Sequence, residues 1–356
     1  MKKLWTLVLA LTMVLSMAAC GGSTGDSSDS GSSGSSDVSS EAGGETPVTL
    51  VVGNVATGDE NPYNMAMNWA KEYLEEQGST VSLNLQLQGV MGSETEQAQQ
   101  VALGNQDICQ VADMSYTNIA PKMAFCNFPM LVEDYDDVKE AWGQGGWMFN
   151  EADKILSDVN LKLLGAGDNG FRIITNSKRP VETFEDMAGL KIRVPENQLL
   201  LDIWDKFGCQ TAPIAFGDLT AALQQKTVDG QELGLQHFYS NRWDEFQPYL
   251  TQINYDYSAF VCCMNLEKFN SLSAKQQEEL LAAFAYGCEK ATEYCANYIA
   301  EGLEVMKGEG LTETEMTDEF RDQIYKVGYD LAHEDEWMSL LGEDLVNTMY
   351  PSESRS

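Results

Sequence analysis

The residue with the clearest chemical purpose is an arginine set in a short apolar strand and stopped by proline, Lys191-Ile192-Arg193-Val194-Pro195. In a pleated strand Ile192 and Val194 share one face, so both can enter a core while Arg193 occupies the opposite face. The strand's C-terminal end is where ligand-contacting groups gather in open α/β sheets. A guanidinium offers two parallel donors to a carboxylate and keeps its charge at any physiological pH, so the chemistry is capture of an organic acid. The chain as a whole opposes an anion, with 22 Lys and Arg against 55 Asp and Glu and a formal net charge of −33. Six basic residues nevertheless crowd into one short segment: Arg172, Lys178, Arg179, Lys191, Arg193 and Lys206. That concentration offsets the overall field locally, with Lys178, Arg179 and Lys206 read as solvated surface charges. So acidic a chain argues against nucleic acid and against anionic lipid headgroups as partners.

Nothing in the sequence points to turnover. There is no GxSxG, no HExxH and no Cys/His pairing, and His237 and His333 stand beside no nucleophile. Cys109, Cys126, Cys209, Cys262, Cys263, Cys288 and Cys295 show no CxxC spacing, so neither a zinc site nor any other cofactor is expected. Cys288 and Cys295 share a helix face and read as small hydrophobes. Phe216, between Pro213 and Asp218, is either a loop residue over a cleft or a core aromatic. Tyr255 and Tyr257 precede a chain crossing and can line a hinge or a pocket.

The elements that must position these residues follow an α/β rhythm. Val48–Val55 is an apolar β-branched run, and 82–88 alternates strictly with Leu83, Leu85 and Leu87 on one face; both read as strands. Helical patterns follow at Met65, Trp69, Tyr73 and Leu74, and over Glu94–Leu103, which makes units of a parallel α/β domain. Strand-like runs recur at 161–166, 171–176 and 191–194, with helices over 197–207 and 218–225, the latter capped by Asp218. Two successive blocks imply two lobes with a cleft. Ser273 and Gln276 open a helix through a capping box, and no Pro interrupts it to about Lys307. A helix that long fits one spanning both lobes better than a coiled-coil dimer.

The N-terminal region carries a different message. Lys2 and Lys3 precede an apolar stretch too short for a comfortable membrane span, so residues 1–19 read as a signal peptide ending before Cys20. Residues 20–46 are nearly all Gly, Ser, Asp and Glu, the composition of a flexible linker. Ser16-Met17-Ala18-Ala19-Cys20 resembles a bacterial lipobox, which makes Cys20 the expected lipidation site and the lipid an anchor to the membrane's outer face.

The stretch 167–232 carries a second resemblance. Asp168-Asn169-Gly170-Phe171-Arg172, the run Met187 to Pro195, Pro213-Ile214-Ala215-Phe216, Ala222-Leu223-Gln224-Gln225 and Val228-Asp229-Gly230-Gln231-Glu232 occur in order, after Gly92-Ser93-Glu94 and before a Ser273-type helix. The series resembles the extracytoplasmic solute receptors of TRAP transporters (tripartite, ATP-independent periplasmic transporters). The resemblance implies a two-lobed α/β periplasmic-binding-protein-like fold, with a ligand cleft and a long helix spanning both lobes. It places 47–169 and 258–297 in lobe I, and 170–257 and 298–356 in lobe II. It also implies that Arg193 pairs with a ligand carboxylate, that Arg172 is a second cationic contact, and that Phe216 packs on the ligand body. Asn61, Glu94 and Tyr116 would form the first-lobe wall. The family's usual residue after the Asp-Gly-Gln-Glu run is Asn, which helps hold the key arginine; here Leu233 stands there, followed by Gly234. The implied partners are a small organic acid and the small and large membrane subunits of a TRAP transporter. An ABC-type solute-binding lipoprotein is the alternative; an exported hydrolase or an adhesin fits less well.

Overall fold

The computed structural model describes residues 45–351. The signal peptide, Cys20 and all but the last two residues of the linker lie outside the described residues. Among the described residues ten strands form the sheet framework: β1 (Val48–Gly53), β2 (Val81–Gln86), β3 (Ile108–Ala112), β4 (Leu161–Asn176), β5 (Lys191–Val194), β6 (Gln210–Pro213), β7 (Gly230–Gly234), β8 (Tyr249–Gln252), β9 (Tyr257–Asn265) and β10 (Thr312–Glu315). The order is β2-β1-β3-β9-β4-β7-β5-β6, with β8 pairing β4 and carrying β10.

The expected parallel α/β pattern holds at the two ends of the strand order and in the β8–β10 pair. β1 pairs in parallel with β2 and β3, and β5 with β6 and β7. Between them β4 and β9 run antiparallel to their partners. The two runs read as separate strands, 161–166 and 171–176, are one strand of 16 residues. The intervening glycines signal irregularity rather than an end: the β4–β9 register shifts between Leu163/Gly165 and between Asp168/Gly170, and the strand continues through both. β4 therefore pairs with β9 through its first part and with β7 and β8 through its last.

The capping box of the long helix Ala274–Gly308 forms as read. Ser273 Oγ accepts from Gln276 N at 3.2 Å, and Gln276 Oε1 accepts from Ser273 N at 3.1 Å. At 1.5 Å per residue the helix runs about 50 Å. Leu280, Phe284, Cys288 and Ala291 enter the apolar cluster built on β1, β2 and the helix Pro62–Glu76. Met306 enters a different cluster, with Ile173, Leu233, Phe238 and Trp243. One helix thus belongs to two cores. Gly287 lets the helix Pro62–Glu76 cross it, since a Cβ there would lie 2.4 Å from the Ala66 carbonyl oxygen. All seven described cysteines are free and buried; Cys288 packs as a small hydrophobe in the first of these clusters, whereas Cys295 lies against the Asp168 carboxyl.

Asp218 does not cap a helix. A 3₁₀ turn, Phe216–Asp218, runs directly into the helix Leu219–Gln224, so Asp218 already has helical φ and ψ (−95°, −7°) and its side chain makes no cap bond. A capping side chain works from an extended residue, and that geometry is absent here.

Candidate functional site

β5 delivers Arg193 as its alternation requires. Ile192 and Val194 are fully buried in the largest apolar cluster, while the Arg193 guanidinium donates from Nε to the Ile214 carbonyl at 2.8 Å. That bond fixes the plane of the fork. Arg193 is 2% exposed and makes no ion pair among the described residues. Burial pulls its pKa down to about 10, with the Arg172 charge acting in the same direction, so it remains cationic at neutral pH.

Arg193 lines a cavity of about 50 Å³ whose walls come from separate parts of the chain. One wall is Ser93–Thr95, the first turn of the helix Glu94–Ala102, with Met114 and Ser115. The other carries Pro195–Asn197 and Ala215–Gly217. Glu94 is held by two donors: Ala112 N to Oε1 at 3.0 Å and Ser115 Oγ to Oε2 at 2.9 Å. Burial raises its pKa, opposed by those bonds and by the charges of Arg193 and Arg172. Asn197 ties the walls together. Its Oδ1 accepts from Leu200 N at 3.1 Å and starts the helix Gln198–Lys206, while its Nδ2 donates to Met114 O at 3.3 Å and to Thr117 Oγ1 at 3.1 Å.

Arg172 is already committed. Its Nε reaches Glu232 Oε2 at 2.5 Å and its Nη2 reaches Oε1 at 2.7 Å and the Glu232 carbonyl at 3.1 Å. Tyr255 donates its hydroxyl to Glu232 Oε2 at 2.7 Å and accepts from Trp204 Nε1 at 3.3 Å. Asp256 and Asp113 lie near, both raised in pKa by burial, Asp256 further by the charge on Asp113. Asp113 is satisfied by Ser258 Oγ at 2.8 Å, Ala259 N at 3.0 Å and Asn127 Nδ2 at 3.1 Å.

Phe216 borders the cavity and packs edge-on against His237, centroids 5.2 Å apart, and Trp243, at 5.9 Å. His237 Nε2 bonds Asn169 Oδ1 at 2.9 Å, an oxygen that also accepts from Gln236 Nε2 at 3.1 Å. The imidazole therefore carries its proton on Nε2, which leaves Nδ1 a buried lone pair without a partner. Burial and the two arginines drive its pKa down to about 3, so the ring is neutral.

Of the residues singled out from sequence, Arg193, Glu94 and Phe216 meet at one cavity, with Arg172 in the charged network of Glu232. The remaining four lie elsewhere. Asn61 caps the helix Pro62–Glu76, accepting from Tyr63 N at 3.0 Å, and its Nδ2 reaches Ser240 Oγ at 3.3 Å. Tyr116 is fully buried, its hydroxyl 3.3 Å from Cys109 Sγ and donating to Val261 O at 3.2 Å. Leu233 pairs in register with Ile173 and packs with it in an apolar cluster that Phe216 borders. Tyr257 lies against Phe171 and Tyr135, with centroids 5.3 and 6.4 Å away. Sequence reasoning missed Asn197, Ser115, Glu232 and His237 as parts of the site, and left Tyr255 open between a hinge and a pocket. For Asn197 a signal existed, an Asn directly before a helical run. For Glu232 none did, because its partner depends on the β4–β7 register.

The sequence profile of bacterial extracellular solute-binding protein family 7 (DctP) matches residues 52–334. A solute-binding protein of Verminephrobacter eiseniae is 28% identical over 269 residues, spanning 75% of this chain and 80% of that one. The sugar acid binding protein of Advenella mimigardefordensis in complex with galactonate aligns with a TM-score of 0.79 at 23% identity, over 86% of this chain and 97% of that one. A TRAP periplasmic solute binding protein of a Polaromonas species bound to D-erythronate aligns with a TM-score of 0.78 at 25% identity, over 87% and 100% of the two chains. The sheet order, the shared strand β4 and the long helix are thus those of a two-lobed α/β binding protein. The chain belongs to family 7 of the bacterial extracellular solute-binding proteins.

Proposed function

We propose that this chain is the extracytoplasmic receptor of a TRAP-type transporter: it closes on a small organic acid and delivers it to the transporter's small and large membrane subunits. The observation that carries the reading is Arg193, a buried cation with no ion pair among the described residues, at a cavity lined from both walls. A buried charge is costly unless paired, and a ligand carboxylate supplies the pair with matching bidentate geometry. Phe216 packs on the ligand body, and Glu94 with Ser115 shapes the opposite wall. Arg172, held by Glu232, contributes its field rather than a free fork. Asn61, Tyr116, Leu233 and Tyr257 hold the surrounding elements in place. The acids bound by the two structural relatives, galactonate and D-erythronate, support the ligand class.

Residues 47–169 with 258–297, and 170–257 with 298–356, are the two lobes in this reading. Closure brings Asn197 onto Met114 and Thr117, and ligand stabilises that state only through contacts made there. Cys20, acylated after removal of residues 1–19, tethers the receptor to the outer face of the membrane through the Gly/Ser/Asp linker.

A melting screen tests the reading against C4-dicarboxylates, keto and hydroxy acids, sialic and sugar acids, and aromatic acids. An acid present at a hundred times its Kd adds about 2.7 kcal/mol to stability, which shifts Tm by several degrees. No shift with any acid would overturn the assignment.

A further inference from the structure

We propose that a second cavity, separate from the Arg193 site, binds a small organic ammonium ion with an apolar body. The cavity measures about 520 Å³, and no residue lines both it and the 50 Å³ cavity at Arg193. It lies between the helix Tyr135–Trp142, the Gly165–Gly167 stretch of β4, and a face of the long helix running from Ala285 to Glu293. Pockets of this size hold whole metabolites.

The lining decides the charge of the occupant. Four aromatic side chains border it: Tyr135, Trp142, Phe149 and Tyr257. Aromatic faces attract cations and repel carboxylates. Glu289 and Glu293, exposed and one helical turn apart, add two negative charges, against the single cation Lys139. Behind the aromatic wall the buried Asp168 accepts the Tyr135 hydroxyl at 3.2 Å through Oδ2. An organic acid would meet negative groups here, and a cation meets its complement. The same helix already uses this chemistry on an adjoining face, where Lys290 Nζ sits 4.7 Å from the Trp69 ring centroid and 5.3 Å from that of Tyr286.

One polar atom refines the ligand. Trp142 is 5% exposed, lines the cavity, and has an indole N–H without a partner. An unpaired buried donor is costly, and a hydroxyl or carbonyl oxygen on the ligand would satisfy it. The occupant is therefore an amine with an apolar or aromatic body, best if it also carries one acceptor oxygen.

Calorimetry with phenethylammonium as the probe tests this, with neutral 2-phenylethanol and anionic 3-phenylpropanoate as controls, on the full chain and on Arg193→Ala. The cation should bind both proteins equally and the controls at least about tenfold more weakly, about 1.4 kcal/mol. The double variant Glu289→Gln/Glu293→Gln should weaken the cation by a similar factor. Ala285→Trp, which fills the cavity, should abolish its binding; if that variant does not fold, the exposed glutamate pair decides alone. The proposal is overturned by absence of binding, by equal binding of the alcohol or the acid, or by loss of binding in Arg193→Ala. The last result would place the probe in the organic-acid site instead.

Discussion

Arg172 and Glu232, on the adjacent antiparallel strands β4 and β7, meet through two parallel hydrogen bonds of 2.5 and 2.7 Å, with neither side chain more than 3% exposed. This pair separates the roles of the two buried arginines. Arg172 is neutralised within the protein; Arg193 donates its Nε to a carbonyl, has no ion pair among the described residues, and is the cation that meets the ligand in the function proposed above.

Removing one partner of such a pair strands the other charge in the interior. Glu232→Gln should therefore destabilise the protein by about 3–5 kcal/mol, read as a lower midpoint in urea unfolding. Tyr255→Phe removes one donor to the same carboxylate and should cost about 1.5–3 kcal/mol. A Glu232→Gln protein as stable as the parent would mean the pair contributes nothing to the fold.

Asp168 gives a dependence on pH. Burial lifts its carboxyl to about 6, whereas an exposed aspartate titrates near 3.9. Between those values the folded protein keeps a proton that the unfolded chain has released. The stability that proton confers is complete below about pH 4 and is lost as the pH rises through about 6. The loss is on the order of 2–3 kcal/mol. Asp168→Asn should flatten that decline, so its stability relative to the parent rises from pH 4 to pH 7. Parallel stability curves for the two proteins across this range would refute the account.

Two glycines of the long helix should respond oppositely to alanine. At Gly287 a Cβ would collide with the Ala66 carbonyl oxygen, so Gly287→Ala should cost about 1–3 kcal/mol by pushing the two helices apart. At Gly308 a Cβ would meet nothing within 4 Å, so Gly308→Ala should gain a few tenths to about 1 kcal/mol. Paired thermal melts distinguish the two, and equal shifts would contradict the packing described here.

What could be read from sequence was local. The capping box of Ser273 and Gln276, the boundaries of β5 and the outward face of Arg193 all depend on neighbours within a few residues. The rest depends on chain-distant pairing. Gly165, Gly167 and Gly170 look like a break, but β9 and β7 hold β4 as one strand through two register shifts. The surroundings of Tyr116 are of this kind: its hydroxyl bonds Cys109 on β3 and Val261 on β9. Leu233 stands where the resembled family has Asn. In the fold it pairs with Ile173 and fills a core, while its neighbour Glu232 does the polar work on Arg172. The neutral state of His237 could not be read either, since it rests on burial and on the charges of Arg172 and Arg193, both distant in sequence.

The central claim is that Arg193 holds the ligand's carboxylate, and calorimetry on Arg193→Ala with an acid identified in the melting screen tests it most directly. Loss of the charged partner should weaken binding by about 2–5 kcal/mol, a factor of roughly thirty to several thousand. An affinity equal to that of the parent protein would contradict the account.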